Sequence, residues 1–331
     1  MLKYILKRLG ISVIILLGVS VILYSLVRMM PIDYIDRKYA SQLDQGSITQ
    51  DDILRFKSMY GLTGGIFEGY ANWIKNLFTN GLGDSFKYEK PVATVIGENM
   101  WISFAIAIIA TILQFLIAIP LGISSATHQY TAKDYIVTIF TMMGISLPTY
   151  FFAAVVVKIF SVEFGWLPAN GLISASASYP ETFAGAIQKF GDIVKHLILP
   201  ISVSVLLSLG GLMRYTRTNT LEVLNADYIR TARAKGLSEK TVIYKHAFRN
   251  TLIPLATLLA GILPSLFGGM MITEQVFGID GVGRLAYQAL REGDIPFVMG
   301  YNLFLAILTI IGTLFSDIMY SVVDPRVKLG K

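Results

Sequence analysis

Six stretches of the chain contain no Asp, Glu, Lys or Arg and approach or exceed the length that a helix needs to cross a lipid bilayer. The hydrocarbon layer is about 30 Å thick and a helix rises about 1.5 Å per residue, so roughly 20 apolar residues span it. The stretches are residues 9–27, 101–126, 135–157, 197–213, 251–273 and 297–316. For the shortest, 197–213, a buried helix of a soluble protein is the alternative, but its five companions favour the membrane. The pattern predicts an all-α integral membrane protein with six transmembrane helices.

The first stretch follows Lys3, Lys7 and Arg8, an arrangement that also begins a signal peptide. Its 19 residues exceed the roughly 7–15 of a signal-peptide apolar region, and its end at Val27-Arg28-Met29-Met30-Pro31 has no small-x-small cleavage site. We expect an uncleaved first transmembrane helix. The predicted organisation is a tail and first helix in residues 1–30, an extracytoplasmic region in 31–100 and a core of five helices in 101–331.

Basic residues are distributed unevenly between the segments that join the stretches. With both termini in the cytoplasm, the cytoplasmic pieces carry 15 Lys and Arg in 68 positions, and the other side carries 13 in 135 positions. These cytoplasmic pieces are residues 1–8, 127–134, 214–250 and 317–331. Lys and Arg accumulate in cytoplasmic loops, so the distribution predicts a cytoplasmic N-terminus in a multi-pass protein of the cytoplasmic membrane.

The segment between the first two stretches carries helical patterns of its own. Thr49 with Asp52 three residues later is typical of a helix start, and Ile53, Phe56 and Tyr60 follow on one face. A second stripe consists of Phe67, Tyr70, Ile74 and Leu77. This predicts a helical extracytoplasmic region, either a cap that rests at the membrane interface or a lid that meets a soluble delivery protein.

The loop 214–250 combines an apolar stripe with a basic surface. The stripe consists of Leu221, Leu224, Tyr228 and Ala232, and Gly236 ends the predicted helix where a left-handed residue is favoured. Ser238 is a suitable cap for a second, short helix. Such a projecting elbow either lies on anionic lipid headgroups or docks into a groove of a cytoplasmic partner.

Composition narrows the function classes further. Hydrophobic residues make up 54% of the chain and charged residues 15%, against roughly 25% charged in soluble domains. The chain has no cysteine, which excludes disulfides and thiolate metal sites. Its three histidines form no paired ligand motif and no Gly-x-Ser-x-Gly turn is present, so neither a metal site nor a catalytic residue is expected. A proton relay is disfavoured, because it would need ionisable residues within the spans and the stretches contain no Asp, Glu, Lys or Arg.

Prolines mark two of the stretches as candidates for a transport path. Pro148 and Pro264 lie near the middle of 135–157 and 251–273, where a broken helix frees backbone carbonyls that a neighbour or a water-filled cavity must satisfy. The candidate path residues are Ser146, Pro148, Thr149, Tyr150, Pro264 and Ser265. A packing kink is the alternative interpretation of each proline. The ladder Gly261, Ser265 and Gly269 would let another helix approach closely.

Several blocks, in order over nearly the whole chain, resemble the permeases of peptide-type ABC importers. The longest runs from Asp227 through Gly236 to Ser238 and resumes from Lys245 to Pro254. The shorter blocks are 2–9, 60–62, 82–86, 144–148, 165–168, 276–284 and 324–326. The chain departs from the family pattern at Ile32-Asp33-Tyr34, where the family usually shows Gly-Asp-Pro, and carries Arg230 where the general importer pattern has Glu.

The resemblance implies a permease subunit that moves peptides by alternating access, with nickel or another metal chelate as the alternative cargo. It implies a second, homologous permease, two cytoplasmic ABC ATPases that bind ATP and Mg, and an extracytoplasmic binding protein as partners. This chain lacks a phosphate loop of its own: near Gly236, Lys240-Thr241 follows Glu239 instead of Gly. The elbow residues implied to couple to the ATPase are Asp227, Tyr228, Arg230, Ala232, Arg233, Lys235, Gly236, Leu237 and Ser238. A membrane receptor or scaffold that transports nothing is the alternative from another class.

Overall fold

The computed structural model describes residues 2–29, 39–40, 42–59, 61–268 and 270–323. Within these ranges the chain is helical apart from turns and loops, and its extended pairing is limited to one isolated bridge between Asp84 and Pro91. The helices are α1 (Leu2–Met29), α2 (Gln50–Met59), α3 (Ile66–Asn80), α4 (Val92–Thr127), α5 (Ala132–Ser146), α6 (Thr149–Val157), α7 (Phe183–Leu224), α8 (Asp227–Ala234), α9 (Glu239–Thr241), α10 (Phe248–Thr257), α11 (Leu259–Phe267), α12 (Met271–Val276), α13 (Val282–Glu292) and α14 (Ile295–Val323). Two π-helical turns, Lys158–Glu163 and Val242–Ala247, follow α6 and α9.

Four helices in the described ranges are long and apolar enough to cross a membrane: α1 over Leu6–Leu26, α4, α7, and α14 over Ile295–Asp317. A fifth candidate is the pair Ala132–Ser146 and Thr149–Glu163, whose two halves meet at an angle of 103°. The predicted all-α membrane fold is confirmed. The count of six spans and the side on which each terminus lies stay predictions.

Two of the predicted spans are broken, the first of them at a proline. Proline lacks a backbone N–H and disfavours helical geometry at the residue before it, so α5 ends at Ser146 and Pro148 becomes the residue that precedes α6. The stretch 251–273 contains α10 and α11, of 10 and 9 residues, separated at Leu258. Neither alone is long enough to cross the hydrocarbon layer, because nine or ten residues rise only about 15 Å.

The chain divides into two compact units, the first of which comprises residues up to Met100 together with Leu285–Ile311. Its core consists of Tyr24, Ile53, Leu62, Trp73, Phe86, Ile295 and Met299. Tyr24 of α1 donates its hydroxyl hydrogen to the backbone oxygen of Gly61, and Arg28 donates to the backbone oxygens of Leu62 and Gly64. These bonds fix the turn between α2 and α3, where Gly61 adopts a φ of +66°.

The helical character predicted for this region is confirmed, with one correction to its buried face. Thr49 and Asp52 cap α2 reciprocally, at 2.9 Å from Thr49 N to Asp52 Oδ2 and 3.3 Å from Asp52 N to Thr49 Oγ1. The placing of Phe67 on the buried stripe was wrong, because its side chain is 90% exposed. The buried face of α3 is instead centred on Gly69 and Trp73, since Gly69 packs against the Gly61 turn. The side chains of Phe56 and Tyr60 lie outside the described residues.

The second unit comprises Trp101–Arg284 with the end of α14, and its main packing contact joins α5 to α7. A methyl group at Gly144 would collide with the backbone oxygen of Leu206, and one at Gly210 would collide with that of Thr141. The two helices run antiparallel and approach each other through glycine, the usual device for close helix contact in lipid.

A fully buried carboxylate organises the loop before α13. Glu274 accepts hydrogen bonds from Ser103 Oγ (2.7 Å), Met270 N (3.1 Å) and Arg284 N (2.8 Å), and Ser103 Oγ accepts one from Val282 N (2.9 Å). Glu274 and Ser103 therefore satisfy two N–H groups at the start of α13, which the helix itself leaves unpaired.

The glycine contact between α5 and α7 can be tested with two alanine variants at neighbouring positions of α7. Gly210→Ala should lower the thermal unfolding midpoint of the detergent-solubilised protein by several degrees, because the new methyl group forces the helices apart. Gly211→Ala should leave the midpoint unchanged or raise it, since no atom lies within 4 Å of that position and alanine favours a helix over glycine by about 1 kcal/mol. Equal midpoints for the two variants would contradict the described contact.

Candidate functional site

The loop 214–250 forms an elbow that continues from α7. Helix α7 ends at Leu224, and α8 and α9 are separated by a tight turn at Gly236, whose φ is +75°. Gly236 N donates to the backbone oxygen of Arg233 at 2.9 Å, and Ser238 Oγ accepts from Thr241 N at 3.4 Å. The predicted arrangement of helix, glycine turn and serine-capped short helix is confirmed.

The elbow has an apolar core of its own, formed by Ile229, Ala232, Val242 and Ala247 with Val223 and Leu224 at its edge. Tyr228 was predicted on this face, but its side chain is 46% exposed, and Ile229 takes its place. The helix ends at Leu224 and restarts at Asp227, so residues on either side of the break do not share one helical stripe. Packing within the chain therefore holds the elbow in shape.

An ion pair clamps the two arms of the elbow across the glycine turn. Arg233 Nη2 lies 2.6 Å from Glu239 Oε1, and Arg233 Nε lies 3.1 Å from Glu239 Oε2, a bidentate arrangement. The hydrogen bonds from Arg233 lower the pKa of Glu239, and Glu239 in turn raises the pKa of Arg233. Arg233 was predicted from the sequence as a coupling residue, but its partner Glu239 was not.

The outer face of the elbow is polar and basic with two larger apolar groups. Tyr228 and Leu237 are 46% and 40% exposed, and the side chains of Arg230 and Asp227 are 73% and 98% exposed. Lys235, Gly236 and Ser238 are exposed as well. Of the nine predicted coupling residues, the structure therefore places Ala232 inside the elbow and the other eight on its surface.

A buried ion pair ties α7 to α4 and α5 just before the elbow begins. Asp134 is 3% exposed, and its carboxylate accepts hydrogen bonds from Arg217 Nη2 (2.9 Å), Arg217 Nε (3.1 Å), Tyr130 N (3.1 Å) and the Ser125 hydroxyl. Asp134 and Arg217 are 83 positions apart in sequence, so no local sequence pattern indicates the pair. Its effect is that α5 and α7 are fastened at the end nearest the elbow.

An open cavity of about 400 Å³ lies between α4, α7 and the α10–α11 segment. Its polar lining residues are Thr111, Gln114, Ser208, Tyr215 and Ser265. Its remaining lining residues are Phe115, Gly211, Leu212, Leu258 and Ile262. Among the lining residues that the structure describes, no side chain is charged, and the cavity volume falls in the range of small-molecule sites.

The structure separates the predicted path residues into two groups. Ser146, Pro148, Thr149 and Tyr150 lie at the bend between α5 and α6 and do not line the cavity. Ser265 lines the cavity, and Pro264 precedes it within α11. In the predicted ladder, Gly269 and the surroundings of Gly261 lie outside the described residues. The assignment of these residues to a transport path stays a prediction.

Comparison with known proteins identifies the family of this chain. The family model described as binding-protein-dependent transport system inner membrane component matches residues 118–329, which include the elbow, the ion pair and most of the cavity. The chain belongs to this family. It is thus a multi-pass inner-membrane permease subunit of an ABC importer, and it works together with other subunits.

Relatives of this permease agree in length as well as in sequence. The oligopeptide transport system permease protein AppB of Bacillus subtilis is 33% identical over 329 residues, which is 99% of this chain and 100% of that protein. The dipeptide transport system permease protein DppB of Alkalihalophilus pseudofirmus is 32% identical over 337 residues, again 99% and 100%. The resemblance to peptide-type importer permeases is confirmed.

The fold of this chain is also found in a solved structure. The inward-facing MetNI methionine ABC transporter matches with a TM-score of 0.52 and 16% identity, over 71% of this chain and 98% of that chain. At this identity the likeness concerns the fold alone.

The Asp134–Arg217 pair should contribute strongly to the stability of the permease. Asp134→Asn leaves the partly exposed Arg217 charge without its partner and should cost roughly 1–3 kcal/mol, seen as a fall in the unfolding midpoint in detergent. Asp227→Asn is the matched control, because Asp227 is 98% exposed and lies 3.7 Å from Arg230; it should have no measurable effect. An Asp134→Asn protein as stable as the control would refute the structural role of the pair.

Proposed function

We propose that this permease moves peptides across the cytoplasmic membrane by alternating access, driven by ATP that partner subunits hydrolyse. Two cytoplasmic ABC ATPases bind ATP and Mg, a second homologous permease completes the path, and an extracytoplasmic binding protein delivers the substrate. This chain binds no cofactor. It crosses the membrane six times with both termini in the cytoplasm, and its region 31–100 faces the extracytoplasmic side.

The observation that carries the proposal is the elbow. Its apolar groups Ile229, Ala232, Val242 and Ala247 are buried within the chain, so its outward face is free to meet another protein. That face combines Tyr228, Leu237 and basic side chains around a fixed glycine turn. Tyrosine and arginine are typical of energetic anchors in protein interfaces, which favours a docked elbow over one that rests on lipid headgroups.

Peptides are favoured as cargo by two observations. The two relatives described above are named for oligopeptide and dipeptide transport. The cavity is lined by uncharged groups, which suits substrates that differ in their side-chain charges. Nickel or another metal chelate is the alternative within the same class. A receptor or scaffold that transports nothing is the alternative outside it.

The elbow is suited to act as a lever. Closure of the ATPases on ATP displaces the docked elbows, and the elbow passes this displacement to α7, because its core includes Val223 and Leu224 at the end of that helix. The elbow must make different contacts with the ATPases before and after they close, because equal contacts would not shift the permease between its two conformations. The ATPase groove that changes shape on closure provides that difference.

Membrane topology can be tested with single cysteines, because the chain contains none of its own. In intact spheroplasts a membrane-impermeant maleimide should label Phe67→Cys, whose position is 90% exposed. It should label Gln129→Cys, at an exposed position in the loop between α4 and α5, only after the membrane is permeabilised. The reverse pattern would overturn the proposed orientation.

Coupling can be tested by purifying the tagged permease from its native membrane in mild detergent, identifying the co-purified proteins and reconstituting the complex. Gly236→Val should reduce peptide uptake at least tenfold while ATP hydrolysis persists. A β-branched side chain strains a φ of +75°, although its Cβ meets no atom within 4 Å. Gly236→Asn is the matched control, since asparagine tolerates this conformation, and it should retain most of the uptake.

Two results would contradict the proposal. A Gly236→Val complex that transports as well as the wild type would exclude the elbow from coupling. A tagged chain that purifies without ATPase subunits or ATP turnover would favour the receptor or scaffold.

A further inference from the structure

One polar side chain of the cavity, that of Gln114, has unused donor and acceptor groups on a single amide. Gln114 Nε2 donates to the backbone oxygen of Ser208 at 3.0 Å, which links α4 to α7. A glutamine amide has two N–H donors and a carbonyl acceptor. Within the part of the chain that the structure describes, Gln114 forms no other hydrogen bond, so one N–H and its carbonyl oxygen remain for a molecule in the cavity.

Two serine hydroxyls of the cavity are already engaged within their own helices. Ser208 Oγ donates to the backbone oxygen of Ser204 at 2.7 Å, and Ser265 Oγ donates to that of Ile262 at 2.7 Å. Their hydrogens are therefore committed to the helix. Gln114 differs from them, because its amide can both donate to and accept from a visitor.

Gln114 is central in the apolar part of its helix. It lies at the middle of the charge-free stretch 101–126, and Ile262, also on the cavity wall, lies at the middle of 251–273. Both stretches are spans in the proposed topology, so the cavity lies near half the depth of the membrane. Polar groups at that depth face other helices or an aqueous path, and transporter sites cluster there.

We propose that Gln114 is a substrate-contact residue that hydrogen-bonds the main-chain amides of a peptide as it passes through this cavity. The inference rests on the peptide-import function proposed above and adds the contact that the substrate makes. A peptide group presents one N–H and one C=O, which match the two free functions of the glutamine amide. Every peptide carries this group whatever its side chains, so the contact accepts varied sequences, and a single neutral hydrogen bond is weak enough to release the substrate.

Uptake measurements in proteoliposomes test the contact. With saturating peptide-loaded binding protein, Gln114→Met should lower the maximal uptake rate about three- to tenfold, the loss expected for one neutral hydrogen bond. ATP hydrolysis should stay within about twofold of the wild type, so more ATP is consumed per peptide. The loss should be the same for peptides with acidic, basic and apolar side chains. Leu116→Met is the matched control, because Leu116 lies on the same helix but outside the cavity lining, and it should stay within twofold of the wild type in both activities.

A merely structural role for Gln114 gives a different result. If Gln114 only joins α4 to α7, Gln114→Met lowers complex yield, uptake and ATP hydrolysis together, and the ATP consumed per peptide does not change. That outcome overturns the inference, as does a loss restricted to one class of side chain.

Disulfide trapping tests the same contact without relying on a loss of activity. The probe is an alanine pentapeptide with one central cysteine, activated as a mixed disulfide with thiopyridine. In the purified complex it should form a disulfide with Gln114→Cys and not with Leu116→Cys, which lies two residues along α4 and is 65% exposed away from the cavity lining. Capture at neither position, or equally at both, overturns the inference when wild-type vesicles transport the peptide. Failure of wild-type vesicles to transport any peptide instead overturns the proposed function.

Discussion

The antiparallel contact between α5 and α7 is the interaction on which the rest of the second unit depends. At one end Gly144 and Gly210 allow backbone to meet backbone, and at the other the carboxylate of Asp134 receives the Arg217 guanidinium. The two contacts are sensitive to different substitutions. Added side-chain volume disrupts the close packing, and removal of one partner disrupts the charge pair. Two helices held by both kinds of contact move as one body.

Much of the fold and of the elbow could be predicted from sequence, because their signals are local. Runs without charge indicate spans, and a glycine followed by a capping serine indicates the turn at Gly236. What could not be predicted depends on contacts between distant segments. The pairing of Asp134 with Arg217, for example, joins positions 83 apart. Tyr228 was misplaced because a periodic stripe was continued across a helix break that only the folded elbow reveals.

Polar groups have two different roles in this chain: buried carboxylates stabilise the structure, and neutral groups line the cavity. Glu274 is fully buried, yet its charge is satisfied by N–H groups at the start of α13 and by Ser103, so it stabilises a helix end. The cavity wall carries hydroxyls and one amide instead. A charged wall would bind some peptides tightly and repel others, whereas neutral hydrogen-bonding groups distinguish little between side chains. In the proposed transport function, selectivity then belongs to the protein that delivers the substrate.

The elbow and the cavity are connected through α7, which contributes to both. Arg233 and Glu239 hold the two arms of the elbow together, and the packing of Ile229 against the end of α7 leaves little freedom between elbow and helix. A force on the elbow is therefore not absorbed at Gly236 and reaches α7. Because α7 also carries Ser208, whose backbone oxygen binds Gln114 of α4, a shift of α7 changes the distance between the two walls of the cavity. One rigid helix thus relates the position of the elbow to the width of the cavity.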